Sequence, residues 1–287
     1  SIASGGNYNT VVGDEAGTAL TTGDANVAVG FEALKTEDAH GNNTAVGYRA
    51  LKTLNAGAEG NNVAVGYNAG ANITTGISNV ILGATAGDAL TVGDRNTALG
   101  DGALSAETVS DRSTAVGYRS LSAQNTGSNA DVYNTALGYF TGGNVTSGIK
   151  NTLIGGSAGS ALTDADFNVA VGYIALAQDT KGNKSTAIGY SALYNQNFTS
   201  STDSRNTAVG YEAGLSITTA TSNVLVGSLC GDALTVGNSN VAVGDAALTT
   251  DTQGDRNVAI GYLALENQNF TSSTDSYNTA VGYNSGA

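Results

Sequence analysis

The sequence predicts an all-β protein, a parallel β-solenoid or β-roll of sixteen coils of about 17 residues. A short motif, Asn-Thr-Ala-Val-Gly-Tyr, occurs in full at 43–48 and 206–211, and in variant form throughout the chain. The spacing of its glycine is 17 in eleven of fifteen intervals, 19 in one and 21 in three. A short period sustained over a whole chain is typical of stacked repeats. The sixteen motif glycines are Gly13, Gly30, Gly47, Gly66, Gly83, Gly100, Gly117, Gly138, Gly155, Gly172, Gly189, Gly210, Gly227, Gly244, Gly261 and Gly282.

Each motif has the alternation of a β-strand. Its Thr or Val shares one face with the following Val, Ile or Leu, whereas Asn, Ala and Gly share the other face. The β-branched residues favour a strand of about five residues, and we expect their face to point into the core. A second short apolar element and a polar turn complete the coil. A coil of this length is too short for a βαβ unit or a helix pair, and the glycine and β-branched residues disfavour a helix.

The least variable residues are predicted to form ladders. In-register coils place equivalent side chains about 4.8 Å apart, so that amide groups hydrogen-bond along the stack. Asparagine opens the motif in fourteen of sixteen coils, and Ser113 and Ser185 replace it in the other two. Tyr or Phe follows the glycine in ten coils, which predicts interrupted aromatic stacks. The predicted structural ladder comprises Asn43, Asn62, Asn79, Asn96, Asn206, Asn223, Asn240, Asn257, Tyr48, Tyr67, Tyr118 and Tyr211. We expect the glycine to serve a bend, a positive φ angle or a close backbone approach.

A longer period lies on top of the short one. From Gly66 onwards, every fourth motif glycine follows at a constant spacing of 72, and the fourth residue after the glycine cycles through two Gly and two Leu. This predicts four four-coil super-repeats in a single domain, residues 1–287, about 75 Å long. Neither end departs from the motif, and joining Ala287 to Ser1 of a second copy would give a glycine spacing of 18. We therefore expect a segment of a longer fibre or chains stacked end to end.

Composition restricts the partners. The chain has 40 Gly and no Pro, Met or Trp, which indicates a narrow core repeated many times. Asp and Glu outnumber Lys and Arg by 24 to 11, which argues against nucleic acid as a partner. No apolar run approaches the roughly 18 residues of a membrane span, so we expect no membrane insertion.

The Ala-Val-Gly-Tyr-x-Ala core resembles the Ala-Ile-Gly-x-x-Ala coils in the YadA-like head of trimeric autotransporter adhesins. It is more similar still to the Asn-Thr-Ala-Val-Gly-Tyr repeats of phage tail-fibre and other virus- or cell-surface fibre proteins. The resemblance covers the whole chain. It implies a homotrimer of left-handed β-rolls packed side by side, in an extracellular, virion or cell-surface stalk or head that contacts a host or matrix surface. The 17-residue coil is longer than the usual coil of adhesin heads, and the chain has no neck or coiled-coil heptads.

Enzyme signatures are mostly absent, so we expect no catalytic residues. His40 is the only histidine and lies in a polar turn without metal-ligand spacing. Cys230 takes the place that Ala213 and Ala247 have in neighbouring coils, which predicts a buried small residue rather than a nucleophile. The stretch 164–168 begins like a calcium loop but lacks the turn glycine and the glutamate at the twelfth position.

Paired carboxylates allow three interpretations. Asp94 and Asp111 lie on adjacent coils, so their carboxylates would be about 5 Å apart. That separation suits a retaining glycosidase and also a Ca²⁺ bridge. Arg95 and Arg112 follow these acids directly, which favours a solvated turn edge with its own counter-ions. Beyond this candidate Ca²⁺ site, no cofactor is expected.

The leading functional hypothesis is a non-enzymatic fibre segment for attachment. Long connections around Phe198 and Phe270, with Asp203 and Asp275 nearby, would form a row of loops about 19 Å apart. Such a row would bind a host or matrix glycan or protein by avidity, or would simply be a set of ordered polar loops. The expected self-association is a homotrimer, an end-to-end filament, or both. Alternatives are a self-assembling structural filament, a glycan-hydrolysing tailspike and an ice-binding solenoid, the last disfavoured because threonine is expected to point inward.

Overall fold

A computed structural model describes residues 5–286. It confirms the predicted all-β parallel β-solenoid, in which one coil takes about 17 residues. Within residues 5–286, no helix is long and apolar enough to cross a membrane. The chain divides into two compact units, Ser1–Ser147 and Gly148–Ala287, which are called unit 1 and unit 2 and are described separately. The assignment of residues 1–287 to a single domain stays a prediction.

Unit 1 contains one parallel sheet with a three-residue strand from each coil. The strands pair in register, for example Thr44 with Val63, even though the connection between these two is longer than most. The strands are β1 (Thr10–Val12), β2 (Val27–Val29), β3 (Thr44–Val46), β4 (Val63–Val65), β5 (Val80–Leu82), β6 (Thr97–Leu99), β7 (Thr114–Val116) and β8 (Thr135–Leu137).

Unit 2 repeats this arrangement and adds two small parallel pairs. The pairs join β11 to β13 and β17 to β19, where a long connection returns to the preceding coil. Its strands are β9 (Thr152–Ile154), β10 (Val169–Val171), β11 (Gly182–Asn183), β12 (Thr186–Ile188), β13 (Thr202–Asp203), β14 (Thr207–Val209), β15 (Val224–Val226), β16 (Val241–Val243), β17 (Gly254–Asp255), β18 (Val258–Ile260), β19 (Thr274–Asp275) and β20 (Thr279–Val281).

The motif glycine ends each strand at a point where neighbouring coils touch. Gly47 has a φ angle of +136°, and a Cβ atom placed on it would lie 2.3 Å from the carbonyl oxygen of Gly66. A real Cβ is never so close to a backbone atom, and only glycine adopts this φ angle without strain. The expected roles in positive φ and in close backbone approach are both confirmed.

The inward face of the strand is the opposite of the predicted one. The middle alanine faces the core, as Ala45 and Ala64 do with no exposed surface, whereas the flanking Val63 is 39 % exposed. The prediction that the β-branched face points inward is therefore wrong. The physical reason is the width of the coil, because a second apolar element fills the same layer and in most coils leaves room for only a small strand residue.

Glycine at the fourth position after the motif glycine leaves room for a large side chain elsewhere in the core. Leu104 is fully buried in a coil whose inward strand residue is Ala98. Where this position is Gly87, the strand residue is Ile81 instead, and a Cβ on Gly87 would lie 3.1 Å from Ile81 Cδ1. Gly159 has the same relation to Leu153, at 2.8 Å. In the coil of Gly70 the strand residue is Ala64, and a Cβ on that glycine would instead lie 2.9 Å from Ile73 Cδ1. A large side chain thus takes the space beside each of these glycines, as close packing requires.

Candidate interaction surfaces

The outer sheet face consists of the first and third residues of the three-residue strands in each unit. Parallel sheets normally have both faces covered, and uncovered apolar rows mark interaction sites. Here Leu137 in unit 1 is 47 % exposed and Val281 in unit 2 is 66 % exposed. The most exposed large aliphatic residues of this face are Val12, Val63, Val80, Leu82 and Leu137 in unit 1 and Ile188, Val224, Val226, Val243, Ile260 and Val281 in unit 2.

Threonines also lie on the outer sheet face. Thr44 and Thr97 occupy the first strand position, beside inward-facing alanines, and both are partly exposed. The expectation that these threonines point into the core is therefore wrong, for the same reason of coil width. The argument made from it against ice binding no longer holds.

An aromatic row follows the motif glycines along each unit. In unit 1 the rings of Phe31, Tyr48 and Tyr67 stack with centroids 5.3 and 5.2 Å apart. Tyr118 stacks on Tyr139 at 5.4 Å. These rings are nearly parallel and stand at the surface, so their faces pair with one another while their edges meet solvent.

In unit 2 the same row contains two stacks. The rings of Tyr173, Tyr190 and Tyr211 are 6.0 and 5.3 Å apart, and Tyr262 stacks on Tyr283 at 5.4 Å. A hydrogen bond to Glu212 raises the pKa of Tyr211. Acidic and phenolic groups therefore meet at this point of the surface.

The asparagines named by the sequence lie in a buried ladder in each unit. The backbone N–H of Asn79 donates to Oδ1 of Asn62 at 2.9 Å, and its own Nδ2 donates to the carbonyl oxygen of Gly93 at 2.9 Å. Asn223 and Asn240 repeat this arrangement in unit 2. The Oδ1 atom of such a side chain thus accepts the backbone N–H of the next asparagine in the ladder, and its Nδ2 donates to a carbonyl oxygen in a turn. Both polar atoms are therefore paired, as buried polar groups generally are.

The long connections are anchored by buried carboxylates that the sequence analysis missed. Asp179 is fully buried, and its Oδ1 accepts hydrogen bonds from the backbone N–H groups of Lys181, Gly182 and Phe198 at 3.0 to 3.3 Å. Asp251 has the equivalent contacts with the next connection. Successive backbone N–H groups that converge on one carboxylate form a stable anion site.

A glutamine completes each anchor, and in two places it also binds the serine that replaces asparagine in the ladder. Gln196 Nε2 donates to Asp179 Oδ2 at 2.5 Å and to Ser185 Oγ at 2.9 Å. Its Oε1 accepts from Asn206 Nδ2 at 2.8 Å. Gln124 makes the corresponding bonds to Glu107 and Ser113. The sequence signal for this network was the serine, which directly precedes two of the three 21-residue glycine intervals, whereas the third has Asn257 at this place.

The predicted binding residues of the long connections differ in accessibility. Phe198 is only 6 % exposed and its ring packs over Gly182, so its aromatic surface is not presented to solvent. Phe270 is half-buried. Asp203 is paired with Lys184 and Arg205 at 2.5 and 2.9 Å, and these hydrogen bonds lower its pKa.

Asp275, in the equivalent connection, is exposed and paired with Arg256. Tyr277 also donates its hydroxyl to this carboxylate, at 3.3 Å. A binding role for Phe198, Asp203, Phe270 and Asp275 stays a prediction, and the two aspartates are its more accessible part.

Asp94 and Asp111, each in the turn before its strand, accept hydrogen bonds from backbone N–H groups of the preceding coil. Asp94 Oδ1 accepts the N–H of Ile77 at 2.8 Å, and Asp111 Oδ1 accepts the N–H of Asp94 at 2.7 Å. Arg112 pairs with Asp131 rather than with Asp111. One oxygen of each acid is thus committed to the backbone, and calcium binding by Asp94 and Asp111 stays a prediction.

Two further groups bear on chemistry. Glu37, Asp38 and His40 lie close enough together to offer three metal ligands, but Glu37 is fully buried and accepts backbone N–H bonds of Asp38 and His40. Cys230 is fully buried, and burial raises the pKa of its thiol to about 12. A thiol with that pKa is not a nucleophile at neutral pH.

Comparison with protein-family models and with curated proteins gives no match to this chain.

Proposed function

We propose that this chain is a non-enzymatic fibre segment of the attachment type, whose copies associate side by side as a homotrimer through the outer sheet face. The observation that carries the proposal is the exposure of aliphatic residues along that face in both units. A second copy would cover them and remove apolar surface from water. Side-by-side trimers of left-handed rolls are also what the resemblance to adhesin heads and tail fibres implies.

Attachment belongs to the loops on the remaining surface. The long connections near Asp203 and Asp275 are held in fixed conformations by the buried carboxylates Asp179 and Asp251. Rigid, repeated loops lose little entropy on binding. Several copies of such a loop on one fibre would bind a surface glycan or protein by avidity. The expected location is extracellular, on a virion or a cell surface.

The test uses two charge-matched variants of the full chain. Val224→Lys with Val226→Lys places two cations on the outer sheet face of unit 2, where both side chains are exposed. Thr199→Lys with Ser200→Lys adds the same charge to an exposed connection away from this face. Native mass spectrometry and sedimentation are expected to show trimers for the wild type and for the control, and monomers for the face variant.

Circular dichroism separates association from folding. The face variant should keep the wild-type spectrum, because both valine side chains are exposed and neither belongs to the buried core. A wild-type chain that stays monomeric at micromolar concentration, or a face variant that stays trimeric, contradicts the proposal.

A structural filament is a second candidate. In unit 2 a cavity of about 710 Å³ opens beside β20, lined by Leu265, Gln268 and Ala280 among others. A further coil from a second copy would fill it and extend the sheet. Electron microscopy of the purified chain discriminates the two candidates, since a filament would show indefinite length and a fibre segment a discrete particle.

Ice binding is a third candidate, favoured by the outward threonines. Thr97, Thr114 and Thr135 follow one another on the outer sheet face of unit 1. Valine takes this first strand position in seven of the sixteen three-residue strands, and the third strand position is aliphatic in all of them. A thermal hysteresis measurement on the wild type and on Thr114→Lys decides it, because ice binding requires activity in the first and a marked loss in the second.

A further inference from the structure

The aromatic row is interrupted at equivalent places in the two units. In unit 1, Ala84 and Asp101 stand between the stacks, with Tyr67 before and Tyr118 after them; these four residues are called the first gap. The second gap, in unit 2, consists of Tyr211, Ser228, Asp245 and Tyr262. Each position of the second gap corresponds to one of the first at a constant offset of 144 in the numbering.

The second gap is bounded by two tyrosine rings, each of which stacks on another ring through one face only. Tyr211 stacks on Tyr190 with an interplanar angle of 9°, so its other face points into the second gap. Tyr262 stacks on Tyr283 at 19° and faces the gap from the opposite side. The two bounding rings are three coil steps apart, about 14 Å at a strand spacing of about 4.8 Å. The exposed carboxylate of Asp245 lies between them.

The first gap already contains a cation from its own chain. The Arg119 guanidinium carbon lies 5.5 Å from the centroid of the Tyr118 ring. Tyr139 occupies the other face of that ring, so the guanidinium lies on the gap side. In agreement, Arg119 Cγ is 3.3 Å from the place where a Cβ on Gly102 would lie, on the coil of Asp101.

The second gap has Leu263 where the first has Arg119. The two residues have the same backbone conformation, with φ angles of 50° for Arg119 and 56° for Leu263. Their N–H groups make equivalent bonds, to Asp101 O at 3.0 Å and to Asp245 O at 3.1 Å. The side chain differs, and Ala246 stands where the first gap has Gly102, so the face of Tyr262 lacks the cation that covers Tyr118.

The surroundings of the second gap favour a cation. Between Asn206 and Asp255 the sequence has no Lys or Arg, whereas Glu212, Asp232 and Asp245 all lie in this stretch. Among the described residues, Asp245 makes no ion pair. An unpaired carboxylate beside a free aromatic face attracts a positive charge by both Coulomb and cation–π interaction.

We propose that the second gap binds the guanidinium group of an arginine side chain from a partner protein, against the face of Tyr262 and beside Asp245. Guanidinium fits better than ammonium because it is planar, stacks on aromatic rings and is weakly hydrated. The inference goes beyond the proposed association, since it uses the aromatic row and not the outer sheet face.

The test uses N-acetyl-arginine amide as the probe and saturation-transfer NMR on the full chain as the readout. N-acetyl-citrulline amide is the neutral isostere, and N-acetyl-lysine amide is the ammonium control. Binding of the arginine probe is expected, with at least about fivefold weaker binding of the two others. Equal binding of citrulline or lysine would overturn the proposal.

Reciprocal variants locate the site. Leu263→Arg should fill the second gap from within the chain and abolish the signal, and Asp245→Asn should weaken binding about fivefold. Arg119→Leu should open the first gap and raise the saturation-transfer signal of the arginine probe by up to about twofold. Unchanged binding by Leu263→Arg, with a wild-type circular dichroism spectrum, would place the probe elsewhere.

Leu263→Arg also tests the identity of the partner. If native mass spectrometry shows that this variant no longer self-associates, the arginine comes from a second copy, and an external partner is excluded. An unchanged oligomeric state together with lost probe binding supports the proposal.

Discussion

The inward and outward faces of one strand differ in the size of side chain that they accept, although their residues alternate along the strand. In β4, Ala64 is completely buried between coils, and Val63 beside it is exposed. In β15 the inward residue is Leu225, which is larger because the facing turn position is Gly231. Inward substitutions therefore require a compensating change on the opposite wall, whereas outward ones do not. Core packing restricts the inward face, whereas it places no such restriction on the outward face.

The largest effect is expected where the coils touch. Gly47→Ala should lower the free energy of unfolding by about 4 kcal/mol, since its φ angle is +136° and the new Cβ would meet Gly66 O. Urea unfolding followed by circular dichroism measures it. Gly57→Ala is the control, because no atom lies within 4 Å of its added Cβ. An equal loss in both variants would refute this account of the motif glycine.

The buried anchor should be nearly as sensitive. Asp179→Asn should cost about 3 kcal/mol, because the new amide turns a donor toward Gln196 Nε2. Rotation of the Gln196 amide would restore that bond but break its bond from Asn206. Chemical unfolding is again the measurement, and Asp203→Asn, on the exposed side of the same connection, should have a much smaller effect. Equal effects would mean that the carboxylate is not the anchor.

The pKa of the Cys230 thiol is a probe of burial on the inward face. Burial raises the pKa of its thiol from 9.0 to about 12. Because the folded pKa is above the unfolded one, this contribution to stability is complete below about pH 9 and is lost as pH rises toward 12. Iodoacetamide should therefore alkylate Cys230 at pH 8 only at the rate of unfolding, and readily in urea. Fast alkylation of the folded chain would show that the thiol is accessible.

The smallest effect on folding is expected on the outward face. Val63→Thr should change the free energy of unfolding of the dissociated chain by less than about 0.5 kcal/mol, because its side chain is 39 % exposed. Ala64→Val, the inward neighbour, should cost about 1 to 3 kcal/mol by overpacking. Unfolding measured at several protein concentrations separates the stability of the dissociated chain from the contribution of self-association. Similar losses in both variants would remove the distinction between the faces.

Sequence reasoning was sufficient for everything that depends on period. The sixteen coils, the in-register pairing and the positive φ of the motif glycine all follow from spacing and residue type. The side of the strand that faces the core did not follow, because alternation defines two faces without saying which is inside. The deciding quantity is the width of the coil, which depends on the burial of residues such as Leu104 in the opposite wall.

The interaction surfaces were predictable only in part. The aromatic row and its interruptions can be read from the sequence. The position of the Arg119 guanidinium over the Tyr118 ring depends on the side-chain conformation, which the sequence does not give. The buried carboxylate Asp179 looked like any polar turn residue, since nothing local reveals that three backbone N–H groups converge on it. Ser185 was the only hint, and its meaning depended on Gln196 from the next coil.

The in-register pairing also has a consequence for the rate of folding. In most of each unit, paired strands are one short coil apart along the chain, as Thr97 and Thr114 are. That separation is roughly 0.06 of the chain length, a value more typical of helical bundles than of β proteins. Each new coil closes only a short loop onto its predecessor. We therefore expect a parallel-sheet protein that nucleates in one pair of coils and then grows by rapid addition of neighbours.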